Sequence, residues 1–102
     1  MQIYSDLAAL LDHGERVVLV TVIRTRGSTP REVGAQMLIK ADGSTLGTIG
    51  GGCGEADVWS EAMEAFADGR PRLVEVDLLH DHDLEGGRAC GGIMSVFVEP
   101  VL

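Results

Sequence analysis

The chain has 102 residues, 45% of them hydrophobic and 24% charged, with 16 acidic against 8 basic side chains and a formal net charge of −8. That is the size of a single domain with one core, and the composition excludes dominant disorder. The acidic surplus repels phosphate backbones and anionic lipid, so neither nucleic-acid nor membrane binding is expected, and no apolar run nears the ~20 residues of a membrane span.

In chain order, residues 4–13 place Leu7, Leu10 and Leu11 at helical spacing, with Ser5 or Asp6 as N-cap and Gly14 as the stop. Residues 16–23, RVVLVTVI, are β-branched and nearly all apolar, which predicts a central buried strand. Residues 36–40 and 45–49 flank Ala41, Asp42, Gly43 and Ser44, and Asp-Gly between two apolar runs predicts a hairpin. Residues 54–68 read as a helix with Ala56, Trp59, Met63 and Phe66 along its apolar stripe, ended by Gly69 and Pro71. Trp59, Phe66, Met37, Met63, Met94 and the leucines are expected in the core. Residues 72–78 alternate as a half-solvated strand, and residues 93–99 form the last strand before Pro100. The pattern is not a repeating βα alternation. The predicted fold is therefore α+β: one layered domain over residues 1–102, a mixed or antiparallel sheet of about five strands, and two helices.

Fourteen glycines are about twice the usual share, and they crowd the two cysteines. Gly50, Gly51, Gly52 and Gly54 surround Cys53; Gly86, Gly87, Gly91 and Gly92 surround Cys90. Two cysteines are too few for a secreted disulfide scaffold or a four-ligand zinc site, so both are read as thiols in a reducing cytoplasm. The start carries no basic leader before an apolar stretch, so no secretory signal is expected. The segment around Cys53 runs from a strand into a helix, where unpaired N–H groups can hold an anion and depress a thiol pKa. A tight packing turn with a buried thiol accounts for the same residues about as well. Glu55 and Asp57 in the first turn are expected to compete with a bound anion, and Gly54 to loosen the helix start. A third segment, Arg24 to Arg31, sets Arg24, Arg26 and Arg31 among Thr25, Ser28 and Thr29, a combination suited to phosphate or another oxyanion, or to a solvated loop paired with carboxylates. His80, Asp81, His82 and Asp83 read as a polar turn rather than a metal site.

Residues 18–62 resemble the N-terminal domain of the XdhC/CoxI family, accessory factors for maturing xanthine dehydrogenase, carbon monoxide dehydrogenase and related molybdenum hydroxylases. The blocks that carry the resemblance are Arg26-Gly27-Ser28-Thr29-Pro30-Arg31 with Gly34-Ala35, Gly47-Thr48-Ile49-Gly50-Gly51-Gly52-Cys53 with Glu55, and Cys90-Gly91-Gly92 followed by Val96-Phe97-Val98-Glu99-Pro100. Longer members continue into a Rossmann-like domain, which is expected to be absent here because the sequence stops at Leu102.

The resemblance implies a cytoplasmic, non-enzymatic protein that binds molybdenum cofactor, a molybdopterin with or without a nucleotide extension. It would hold the cofactor for sulfuration and pass it to an apo-hydroxylase, with a cysteine desulfurase as second partner. Gly50, Gly51 and Gly52, with Arg26, Ser28 and Arg31, are the implied phosphate cradle. Cys53 and Cys90, the latter with Gly91 and Gly92, are the implied sulfur donors, as molybdenum ligands or beside the sulfuration point. The two cysteines are expected to converge on one cleft. Two rival readings are a sulfur-transfer or redox module using Cys53, and a partner-docking module without cofactor affinity. A homodimer is compatible with so small a domain bearing a long apolar strand.

Overall fold

A computed structural model describes residues 2–27, 29, 32–49, 54–77 and 92–101. Its elements run α1 (Gln2–Asp12), β1 (Val17–Arg26), β2 (Gln36–Lys40), β3 (Thr45–Gly47), α2 (Glu55–Asp68), β4 (Arg72–Asp77) and β5 (Ile93–Val101). The strands form one sheet in the order β3-β2-β1-β5-β4, with every pairing antiparallel. The α+β expectation holds, and of its two sheet options the antiparallel one is observed.

β1 is the middle strand because its apolar run is buried on both faces. Val18, Val20 and Val22 meet Met37, Ile39, Val76, Met94, Val96 and Val98 under α2. Val17 and Leu19 face the other way, and with Leu38 they pack against Ile3, Leu7 and Leu10 of α1. The two clusters make a three-layer domain, with one helix on each side of the sheet.

α1 begins at Gln2, so neither Ser5 nor Asp6 caps it. It ends at Gly14, where the Gly14 N–H donates to the Leu11 carbonyl at 2.9 Å and the Glu15 N–H to the Leu10 carbonyl at 3.0 Å, the paired bonds of a Schellman stop. The β2–β3 turn forms as predicted: the Gly43 N–H donates to the Lys40 carbonyl, and the Asp42 carboxylate accepts from the Ser44 N–H and hydroxyl. Those bonds hold the Asp42 carboxyl below the usual carboxylate range.

Two of the leucines expected in the core, Leu46 and Leu73, are instead 38% and 62% exposed, and two further expectations need correction. The buried stripe of α2 is Val58, Ala62, Ala65 and Phe66, whereas Ala56 is exposed and Trp59 is 41% exposed. Trp59 lies across the hairpin instead, its indole N–H donating to the Gly43 carbonyl at 3.0 Å. An indole needs a partner for its N–H, and the turn supplies one that the core does not. Second, β5 runs through Pro100 to Val101 rather than ending before it. Pro100 is opposite Val18 of β1, while β4 stops at the level of Val98, so no strand on that side requires the missing N–H.

The register also contains a bulge. Val22 is opposite Val96 and Arg24 opposite Ser95, leaving Ile23 as the extra residue of β1.

Candidate functional site

The antiparallel topology brings the described flanks of the three segments singled out by sequence to one end of the sheet. β1 ends there at Arg26, paired with Ile93, which opens β5, and Ile93 is paired in turn with Asp77, which closes β4. β2 begins and β3 ends at the same end, since Met37 is opposite Gly47. α2 starts there too, because the chain passes from Gly47 to Glu55 and then runs back along the sheet to enter β4 at Arg72. The described flanks of the arginine segment (residues 26–27), of the first glycine segment (residues 47–49 and 54–55) and of the second (residue 92) therefore share one rim.

Of the residues expected in the site, Arg26 and Gly92 are described. Arg26 is exposed at the end of β1 and forms no ion pair with the described residues. Gly92 is buried directly before β5. Ser28, Arg31, Gly50, Gly51, Gly52, Cys53, Cys90 and Gly91 lie outside the described residues, as do His80, Asp81, His82 and Asp83. Convergence of Cys53 with Cys90 falls outside them as well. Among the described residues no group of three or more histidines, cysteines or carboxylates is placed to hold a metal.

The register puts Arg24 and Arg26 on the sheet face away from α2. Each is directly opposite a residue, Ser95 or Ile93, whose neighbours Met94 and Val96 point into the α2 core. Thr25, opposite Met94, is on the α2 side. The arginines thus reach the rim from one side of the sheet, and the start of α2 from the other.

Glu55 has a part the sequence reading missed. Its Oε2 accepts from the Thr48 hydroxyl and from the Ile49 N–H, the latter at 3.2 Å. Glu55 therefore clasps the chain leaving β3 to the first turn of α2, across residues 50–53. Its carboxylate is bound back onto the strand exit, a structural role beside the charge it carries in the first turn. Two signals were available in the sequence: a hydroxyl residue just after the strand, and a carboxylate one position into the helix.

Gly54 also differs from its expected part. It sits at φ +75, the left-handed conformation that disfavours any side chain, and is buried. A glycine there fits the turn rather than loosening it. Gly47, at the other foot of the segment, is close-packed: a Cβ would meet the Gln36 carbonyl at 3.0 Å and Ile3 Cδ1 at 3.4 Å.

The described rim presents an exposed guanidinium at Arg26 on one side of the sheet and the start of α2 on the other. This architecture defines an antiparallel α+β domain in which a glycine-rich sequence joins β3 to α2 at one sheet end. The sequence pattern of the XdhC and CoxI family matches residues 10–77. The chain belongs to that family.

It is 35% identical over 100 residues to a probable xanthine dehydrogenase subunit of Bacillus subtilis, covering 96% of this chain and 30% of that protein. It is 44% identical over 61 residues to the molybdenum cofactor insertion chaperone PaoD of Escherichia coli, covering 60% of this chain and 19% of the chaperone. The crystal structure of a xanthine dehydrogenase from Bacillus halodurans is similar in fold, with a TM-score of 0.81 and 35% identity over 96% of this chain and 30% of that one. The chain thus spans less than a third of each of these relatives.

Proposed function

We propose that this chain is an accessory domain for maturing a molybdenum hydroxylase in the cytoplasm, and that it works by binding molybdenum cofactor rather than by turning over a substrate. The observation that carries this reading is that the described flanks of the three motif-bearing segments share one rim, in a family whose relatives include a molybdenum cofactor insertion chaperone. Main-chain N–H groups of Gly50, Gly51 and Gly52, with Arg26, Ser28 and Arg31, would hold the phosphate. Cys53 and Cys90, with Gly91 and Gly92 leading into β5, would present sulfur. The cofactor, when bound, supplies the molybdenum centre whose terminal sulfur a desulfurase installs before transfer to the apo-hydroxylase.

The chain's own contribution is anchoring. The Thr48–Glu55–Ile49 clasp fixes both ends of the first glycine segment, and an arginine fork bonds phosphate oxygens at two points.

The test is co-purification. The chain is expressed in a cofactor-producing host and its bound molybdenum and pterin are measured. Stoichiometric pterin and metal support the reading; none, in a folded chain, overturns it. Cys53→Ser is expected to cut retained molybdenum several-fold without changing the circular dichroism spectrum. Arg26→Ala is expected to weaken retention most at low salt, because exposed charges act over ~10 Å at 0.1 M and less as salt rises. A stable extra sulfur on Cys53, detected by mass after incubation with a desulfurase and cysteine but no cofactor, would instead favour sulfur transfer.

A further inference from the structure

The α2-side residues of β1 form a column whose character changes at the bulge. Val18, Val20 and Val22 point into the core under α2. Strict alternation from Val22 would bring Arg24 and Arg26 next onto that side and turn Thr25 away. The extra residue, Ile23, reverses this. Arg24 falls opposite Ser95 and Arg26 opposite Ile93, on the face that α1 leaves half covered. Thr25 falls opposite Met94 and so returns to the α2 side.

Thr25 therefore holds the outermost α2-side place on β1 before the chain leaves the sheet. Its row runs Thr25, Met94, Val76, and the row beyond it, Arg26, Ile93, Asp77, faces the other way. Met94 and Val76 are closed off, at 0% and 1% exposure, while Thr25 is half-buried. The apolar floor under α2 thus ends, at β1, on a hydroxyl. Thr21 of the same strand accepts a bond from Gln36, and Thr48 donates to Glu55. The Thr25 hydroxyl makes no such bond to a described residue.

We infer that Thr25 is a further binding residue of the rim, its hydroxyl donating to a phosphate oxygen of the guest from the α2 side. The inference rests on the reading that the chain holds a phosphate-bearing cofactor. A phosphate carries several acceptor oxygens and takes donors from more than one direction. The bulge divides the arginine segment accordingly, with guanidinium reaching the rim from one face of the sheet and hydroxyl from the other. Packing alone does not call for the hydroxyl: the column before Thr25 is all valine, and valine has the same branched shape. The hydroxyl is what sets Thr25 apart from that column.

The test compares Thr25→Val, Thr25→Ser and Ser95→Ala with the unaltered chain, each expressed in a cofactor-producing host. Ser95 is the control, a hydroxyl residue opposite Arg24 on the other face of the sheet. Thr25→Val keeps the shape and is expected to retain about tenfold less pterin, the usual effect of losing a hydrogen bond to a charged group. That factor is expected to stay constant as salt rises, unlike the effect of Arg26→Ala, because a contact hydrogen bond is not screened at a distance. Thr25→Ser and Ser95→Ala are expected to match the unaltered chain, and melting temperatures monitor the fold throughout. Full retention by Thr25→Val, an equal loss in Thr25→Ser, or an equal loss in Ser95→Ala would each overturn the inference. A second arm titrates inorganic phosphate into the cofactor-free chain by calorimetry. Weaker binding by Thr25→Val is expected there, and unweakened binding overturns the inference. An unaltered chain that retains no cofactor yet binds phosphate through Thr25 overturns the functional reading alone; one that binds neither overturns both.

Discussion

A single carboxylate oxygen ties the exit of β3 to the start of α2. Because Oε2 of Glu55 accepts both bonds, a Gln side chain can reproduce them through its amide oxygen, while Ala cannot. Glu55→Ala is therefore expected to lose about 1 kcal/mol of stability in urea titration, the ordinary net worth of such bonds, together with most of the retained cofactor. Glu55→Gln is expected to keep both; equal loss in the two variants would show that charge, not the clasp, matters. Gly54→Ala forces a side chain into the left-handed region and is expected to cost ~1–2 kcal/mol. The Gly54 conformation and the Glu55 clasp were not legible in the sequence, since neither a positive φ nor a hydrogen bond across six positions leaves a periodic trace.

At the level of elements, the sequence was most legible where burial repeats. The β-branched run of β1, the Asp-Gly turn and the alternation of β4 all appear where the pattern put them. It was least legible where a specific contact overrides pattern: Trp59 leaves the α2 stripe for a carbonyl on the hairpin, and Pro100 is tolerated because β4 is short. The junction of α2 and β4 depends on a third contact of this kind, Arg72 with Asp68 and Glu61. The Arg72 guanidinium, ahead of the Arg70 N–H, holds the Asp68 carboxyl below the usual range. A carboxylate so lowered adds stability above its unfolded pKa of about 4, and that contribution is lost as pH falls through the lower folded value. Thermal melts are expected to show a small loss of stability below about pH 4 that Asp68→Asn flattens. An unchanged acid dependence in that variant would assign the loss to other carboxylates.

For the whole molecule, antiparallel topology was legible only in part, because pairing order depends on which faces are buried rather than on any one segment. The layered arrangement separates two regions. The rim holds the described flanks of the three motif-bearing segments, and the half-covered face lies to one side of it, on β1, β5 and β4.

The resting place of the indole on the β2–β3 turn has a practical corollary. Trp59 is the sole tryptophan of the chain, and it touches the hairpin whose outgoing strand leads into the first glycine segment. Its emission is thus a built-in optical gauge, needing no added dye, of whether helix and hairpin stay docked when a guest arrives at the rim.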